Sequence, residues 1–441
     1  LSTAEQERRD DPAEGAAEEP LPSLWHNPDF LKFWFGETIS LLGTQVTNLA
    51  LPLTALYAFN ASDEQVGLLR FLQLVPYLGL ALVFGVWVDR SRRRNVMLGT
   101  NIVRMVLIAL IPVLHWLDVL NMPLLLVIAC ALGVASCLFD VSWMPFVPTL
   151  VKDPRHYVEA SQKMGVSQSV SDVAGPGMAG VLVAAMTAPV ALVVNAFSYL
   201  VSTVMLLLVR TREARPEPTA RRHVGVELKE GLQWVFGKPI LRWLALVGFC
   251  CNFSMITVWT MFLIYGSKVL HLSSSVLGGI FATASIGGLI GAMVSRKVVG
   301  RFPIGRVYFV AQTALLLGPM LIVLAAGPTP VVVGMVVLSF FTTYLGLGIA
   351  NVIIVSVRQT TTPQSMMSRM TACFRTLLFG GGALGGLAAG LLTGWLGDRN
   401  ALTVAAVFSA AVVVALVRSP VSRLRELPPA AEEPAPAAKA G

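Results

Sequence analysis

Long apolar runs recur along the chain at a nearly regular spacing. They lie near 31–58, 66–88, 96–116, 122–149, 161–187, 189–209, 241–267, 276–295, 306–326, 330–355, 367–394 and 400–418. At about 1.5 Å of rise per residue, each is long enough to cross about 30 Å of hydrocarbon as a helix. The pattern predicts twelve membrane spans, with the fifth and sixth divided near Pro189. Charge in the intervening turns alternates. One set of turns holds Arg90 and Arg92 to Arg94, then Lys152 and Arg155, then the basic stretch from Arg210 to Lys238, then Arg296, Lys297, Arg301 and Arg306. The other set (Asn60 to Gln65, His115 to Met122, Gly327 to Pro330) contains no Lys or Arg, and only Lys268 and Arg399 interrupt the rule. Basic turns stay on the cytoplasmic side of a bilayer. The expectation is therefore a multi-pass protein of the cell (inner) membrane with both termini cytoplasmic.

Composition agrees with this reading. Apolar residues make up 55% of the chain and charged residues 13%, against roughly a quarter charged in soluble domains; mean hydropathy is +0.70. The net charge of +8 sits in short turns and not on one soluble face, so it signals topology and not nucleic-acid binding. Cys130, Cys137, Cys250, Cys251 and Cys373 fall inside apolar runs with no metal-ligand spacing, which favours packing roles. No metal, cofactor or structural disulfide is expected. There is no cleavable signal pattern, and Leu1 in place of Met points to a missing start or a processed chain.

Five segments are expected. Residues 1–30 and 419–441, rich in Pro, Ala and acidic residues, read as disordered cytoplasmic tails. Residues 31–209 and 241–418 each hold six spans, and 210–240 forms a cytoplasmic linker. Within that linker, Val226 to Phe236 has helical apolar spacing, as in a helix lying on the membrane surface, although a solvated turn is the alternative. A weak repeat relates the halves at an offset of about 210 residues. Gly67–Arg90 parallels Gly278–Arg301, Pro154–Pro176 parallels the stretch from Pro363 to Gly382 and Gly385, and Tyr57 parallels Tyr265.

Charged groups inside spans cost roughly 2.5–3.5 kcal/mol each at mid-bilayer, so they need a partner or a wet cavity. Glu37, Arg104, Asp140 and Asp172 are such groups. Arg104 and Asp140 fall at similar depth on adjacent spans, which predicts a static ion pair, with proton coupling as the alternative. Asp172, one turn before Pro176, is the better candidate proton carrier. Glu37 lies near enough to a span end to be a solvated interfacial residue. Thr44 and Asn48 share a face with Glu37, with Gln45 beside them, and the seventh run offers Asn252, Trp259 and Tyr265. These are the substrate-cavity candidates; hydrogen bonding between helices is the plainer reading of such polar residues. An aromatic pocket with few fixed charges would suit a bulky amphipathic or weakly cationic compound.

The turn Gly85-Val-Trp-Val-Asp89-Arg90-Ser-Arg92-Arg93-Arg94 closes the second run. This Gly-x-x-x-Asp-Arg-x-x-Arg-Arg pattern resembles the loop motif of the major facilitator superfamily. Leu41–Pro52, Phe139–Val151 and Arg358-Gln359 further resemble its bacterial siderophore, macrolide and multidrug exporters. The resemblance covers nearly the whole chain. It implies an all-α membrane protein with twelve transmembrane helices in two six-helix bundles. It also implies that Gly85 and Asp89 form a conformational latch against the start of the eleventh span, where a carboxylate gains from the helix dipole. Arg90, Arg93 and Arg94 are then either latch partners or positive-inside anchors. Gly175, Pro176 and Gly180 resemble the Gly-Pro motif of drug antiporters, with a simple proline kink as the alternative reading. An Arg that such exporters often carry on the fourth span is absent from Met122–Pro148, so Arg104 would have to substitute.

The expected function is secondary transport by alternating access: proton-coupled efflux of a bulky amphipathic small molecule by a monomer in the lipid bilayer. The alternatives are a proton-coupled uptake symporter and, in another class, a non-transporting sensor or an intramembrane enzyme. No ATP-binding phosphate loop occurs in the sequence, and the chain is not expected to be an enzyme.

Overall fold

A computed structural model describes residues 24–151, 153, 156–211, 213, 224–363 and 366–429. The described residues form helices joined by short turns: α1 (Pro28–Phe59), α2 (Asp63–Leu74), α3 (Pro76–Asp89), α4 (Arg93–Trp116), α5 (Met122–Leu150), α6 (Tyr157–Met186) and α7 (Ala188–Leu208). After the linker come α8 (Val224–Gly237), α9 (Pro239–Lys268), α10 (Ser274–Val299), α11 (Ile304–Leu317), α12 (Met320–Val323), α13 (Thr329–Thr360), α14 (Met367–Leu396) and α15 (Asp398–Arg418). Eleven spans in this set are helical and apolar enough to cross a membrane. The remaining expected span is the pair α2–α3, of 12 and 14 residues. Val75 between them stays helical (φ −58°, ψ −31°), and Pro76, which lacks an N–H, bends the span without ending it. The fold is the all-α, twelve-span arrangement.

Local signals set the helix starts. Asn27 accepts from the Asp29 and Phe30 amides with Pro28 at the first position, and Asn121 caps α5 in the same way. Ser62 and Gln65 form a reciprocal capping box on α2. The fifth and sixth spans divide at Thr187 (φ 74°).

The turns fall on two faces. The basic face carries the arginine turn after α3; the opposite face carries the turns poor in basic residues. Among described residues, positive φ occurs at Asn60, Asp118, Thr187, His271, Gly327 and Gly397, one in each opposite-face turn. They pair as Asn60 with His271, Asp118 with Gly327 and Thr187 with Gly397, each about 210 residues apart. The repeat is thus present in the backbone.

The ends differ from expectation. The 24–30 part of the supposed N-terminal tail is ordered: Leu24 is buried and its N–H donates to Glu159 at 3.1 Å. Likewise Val421 is fully buried, and the Gly305 N–H donates to the Leu424 carbonyl at 2.8 Å. Both segments are too short to show periodicity, and tertiary contacts order them. Residues 1–23 and 430–441 lie outside the described residues.

Candidate functional site

The two halves meet along α2–α14 and α6–α10. A Cβ on Gly67 would come within 2.6 Å of the Gly390 Cα, and one on Gly278 within 2.6 Å of the Gly180 Cα. Only glycine permits so close a crossing. The two contacts are copies of each other: Gly67 and Gly278, like Gly180 and Gly390, stand about 210 residues apart. Both lie in the opposite-face half of their spans. Lys268 adds a link there, donating to the Asp63 carboxylate at 2.7 Å and to the Ala61 carbonyl at 3.0 Å. One exception to the charge rule therefore bridges the two halves.

Two cavities run toward the basic face, one lined by both halves and one lined by the first half with Arg375 from the second. The first, about 670 Å³, is lined by Gln45, Asn48, Arg70, Asp172, Trp259 and Tyr344 among others, and follows α13 down to Ser356, one turn from its end at Thr360. The second, about 750 Å³, is lined by Glu37, Thr44, Tyr77, Arg104, Asp140 and Arg375, and reaches Tyr157 at the start of α6. Volumes of this size suit a drug-sized ligand.

In the first cavity, one Asp172 carboxylate oxygen accepts from the Gln45 amide at 2.8 Å and from the Gln168 amide at 2.9 Å. Arg70 reaches across with its guanidinium 4.8 Å from the Trp259 ring centre and donates to Gln73 at 3.1 Å. Trp259 in turn stacks on Phe281. Pro176 lines this cavity, and behind it a Cβ at Gly175 would strike the Gln45 side chain at 2.4 Å, so that glycine seats the amide that holds Asp172.

The second cavity overturns the expected Arg104–Asp140 ion pair. Arg104 is buried with its guanidinium over Phe139 (3.9 Å) and Tyr199 (4.5 Å), and it donates to Asn101. Asp140 instead accepts from the Tyr77 hydroxyl at 2.8 Å and faces Arg375 at 3.9 Å. Equal depth on neighbouring helices did not bring the two charges together, because the arginine found two ring faces and an amide first. Glu37 is likewise not interfacial: it is 5% exposed, with one carboxylate oxygen lacking a hydrogen bond. It lies within electrostatic reach of Arg104 and Asp140.

The proposed polar stripe of the first span is split. Thr44 turns to the second cavity, its hydroxyl bonded to the Ser40 carbonyl, whereas Gln45 and Asn48 line the first. Trp259 lines the cavity as expected. Asn252 instead packs beside Gly382, at the α9–α14 contact, and Tyr265 packs against the apolar core; neither lines these cavities.

In the arginine turn, a Cβ on Gly85 would meet, among the described residues, Val141 at 3.9 Å and nothing of the eleventh span. The Asp89 side chain lies outside the described residues. Arg90 is exposed. Arg93 donates to the Pro145 carbonyl at 3.1 Å. Arg94 caps α7 through the Leu206 and Leu207 carbonyls at 3.2 and 2.9 Å, where a cation suits the helix C-terminus. Glu213 accepts from the Arg93 and Arg94 amides at 3.0 and 3.1 Å, opposite in sign and end. Arg93 and Arg94 anchor the turn within its own half.

Arg70, Tyr77, Tyr344 and Arg375 went unnoticed in the sequence, although Arg70 and Arg375 are charges inside marked apolar runs. That signal was sufficient to find both.

The Major Facilitator Superfamily model matches residues 33–386. The chain belongs to this superfamily of transporters. It is 26% identical over 363 residues to the multidrug efflux pump Tap of Mycolicibacterium fortuitum, covering 79% of this chain and 85% of that protein. It is 25% identical to the uncharacterized MFS-type transporter YfiS of Bacillus subtilis, covering 83% and 87%. Among solved structures, a bacterial homolog of the lysosomal transporter Spinster in an inward-facing, unoccupied conformation shares the fold, with a TM-score of 0.69, 15% identity and coverage of 90% and 96%. So does the nucleoside transporter NupG, with a TM-score of 0.71, 12% identity and coverage of 89% and 98%. The protein is a multi-pass membrane transporter of the major facilitator type.

Proposed function

We propose that this transporter exports an amphipathic small molecule in exchange for protons. The observation that carries the reading is the first cavity: aromatic, drug-sized, furnished with Asp172, and running toward the basic face while the opposite face is sealed by paired glycines. With the basic face cytoplasmic, as its arginines favour, the cavity is in position to take substrate from inside the cell. The relation to a protein named as a multidrug efflux pump and the Gly175-Pro176 wall support the same direction.

Asp172 then serves as the exchange point. Protonated, it loses its attraction for a cationic substrate; ionised, it binds one, so proton and substrate occupy it in turn. An inward proton supplies about 2.3 kcal/mol per 100 mV. For the outward-facing state, the Gly67–Gly390 and Gly180–Gly278 crossings part and the basic-face ends close. Gly85 and Asp89 approach the start of α14 in that state, which accounts for the open space at Gly85 here. The Tyr77–Asp140–Arg375 link, together with Tyr77 stacked on Phe379 at 4.3 Å, ties α3 and α5 to α14 and moves with them.

The test is flux in proteoliposomes of known orientation. Imposing a proton gradient that is acid on the opposite-face side should drive ethidium out from the basic-face side, and dissipating the gradient should stop it. Accumulation in the reverse sense would establish uptake and overturn the export reading.

A further inference from the structure

Arg70 has no part in the exchange just described, yet it is costly to place. It lies two turns into α2 on the opposite-face side, and a guanidinium at mid-bilayer depth is unfavourable unless it is paired or wet. Among the described residues no carboxylate lies within 4 Å of it: its bond to Gln73 is neutral, its Nε is buried without a hydrogen bond, and its face rests on Trp259. Its stem is fixed as well. Gly386 of α14 lies against it, where a Cβ would come within 3.0 Å of the Arg70 Cβ and Cγ. The other half therefore determines where the guanidinium points.

Asp172 shows the complementary deficit in the same cavity. Two amides hold it, and among the described residues no cation lies within 4 Å. Arg70, Asp172 and Tyr344 line one cavity, so the two charges share a chamber without pairing with each other. The stacked rings of Trp259 and Phe281 line the same chamber.

We infer that the cavity selects amphoteric aromatic compounds: a carboxylate or other anionic group on Arg70 and an ammonium on Asp172, with the apolar body against Trp259. This deepens the export reading and rests on it for the identity of the chamber. A guanidinium offers five N–H donors in a planar fork suited to a carboxylate. Such a ligand supplies each charge with the partner the protein withholds, and it crosses with little net charge.

The decisive measurement is equilibrium dialysis of three fluorescent probes against the purified full-length protein. Norfloxacin carries both charges at neutral pH, its ethyl ester only the cation, and its N-acetyl derivative only the anion. Wild type should bind norfloxacin about tenfold more tightly than either derivative, the scale of one charged hydrogen-bonded pair. Arg70→Gln should weaken norfloxacin and the N-acetyl form about tenfold while changing the ester less than about twofold. Arg70→Lys should fall between. An ester that binds wild type as well as norfloxacin does, an Arg70→Gln loss equal for all three probes, or no binding of any probe overturns the inference. Should Arg70→Gln not fold, the probe series on wild type and Arg70→Lys still decide. Export of tetraphenylphosphonium, which has no anionic group, separates the two readings. If it is pumped and norfloxacin has no advantage, only the inference falls. If neither compound moves in either direction, the export reading falls.

Discussion

The two halves share a backbone plan and differ in chemistry. Their opposite-face turns and interhalf glycine crossings repeat at about 210 residues. The charges within the spans that line the two cavities do not repeat. Glu37, Arg70, Arg104, Asp140 and Asp172 belong to the first half; the matching region of the second holds Val247, Phe281, Thr313, Ala350 and Gly382. The second half answers with rings, Trp259 and Tyr344, and with Arg375. In the proposed cycle symmetry belongs to the parts that rock, where helices cross at glycine. Asymmetry in that cycle belongs to the parts that bind, since a ligand with one distinctive group needs one distinctive wall.

The comparison can be broken at its strongest point first. Gly67→Leu and Gly278→Leu should each abolish flux, because a side chain cannot fit where a Cβ already meets backbone at 2.6 Å. Each should cut transport more than about a hundredfold, equivalent to a closure penalty near 3 kcal/mol. Cysteine labelling at opposite-face positions should rise in both. If only one variant loses flux, the two crossings are not mechanical equivalents.

Asp172→Asn comes next and tests the asymmetry. Removing the ionisable group should lower proton-driven export about tenfold or more, the scale of a lost charged interaction, and should flatten its pH dependence. Unchanged pH dependence would remove Asp172 as the exchange point. Gly382→Ala, at the matching place in the second half, should leave the pH profile intact.

Arg104→Gln sharpens the role of the second cavity. Loss of the contacts to Phe139 and Tyr199 should cost about 1–2 kcal/mol, as for a desolvated cation on rings, read as a lower Tm in detergent. If Arg104 were instead the salt-bridge partner of Asp140, Asp140→Asn would reproduce that loss, and in this geometry it should not. The smallest effect belongs to Lys268→Ala. Its partly exposed pair with Asp63 should contribute about 0–1 kcal/mol, changing flux by no more than about fivefold.

Much of this was legible in the residues. Apolar run length marked the spans to within a few positions, since backbone polar groups in lipid force a helix to continue until the hydrocarbon ends. The Gly67–Gly278 repeat was visible as sequence and returned as a pair of crossings. What failed were inferences about partners. Arg104 and Asp140 matched in depth but not in direction, Glu37 was nearer a span end yet buried, and Tyr265 matched the repeat without facing a cavity. Gly85 was read as a contact with α14, a contact not made in this structure.

By itself, then, the sequence determined how many times the chain crosses, which turns are basic, and that the two halves are related copies. Those properties follow from one-dimensional quantities: hydrophobic length, charge per turn and repeat offset. Only the tertiary structure decided which charges meet, which rings stack on which cations, and that Arg70 and Asp172 face one chamber with no ion pair among the described residues. Partner choice depends on helix rotation and crossing angle, and these arise from packing contributed by segments hundreds of residues away.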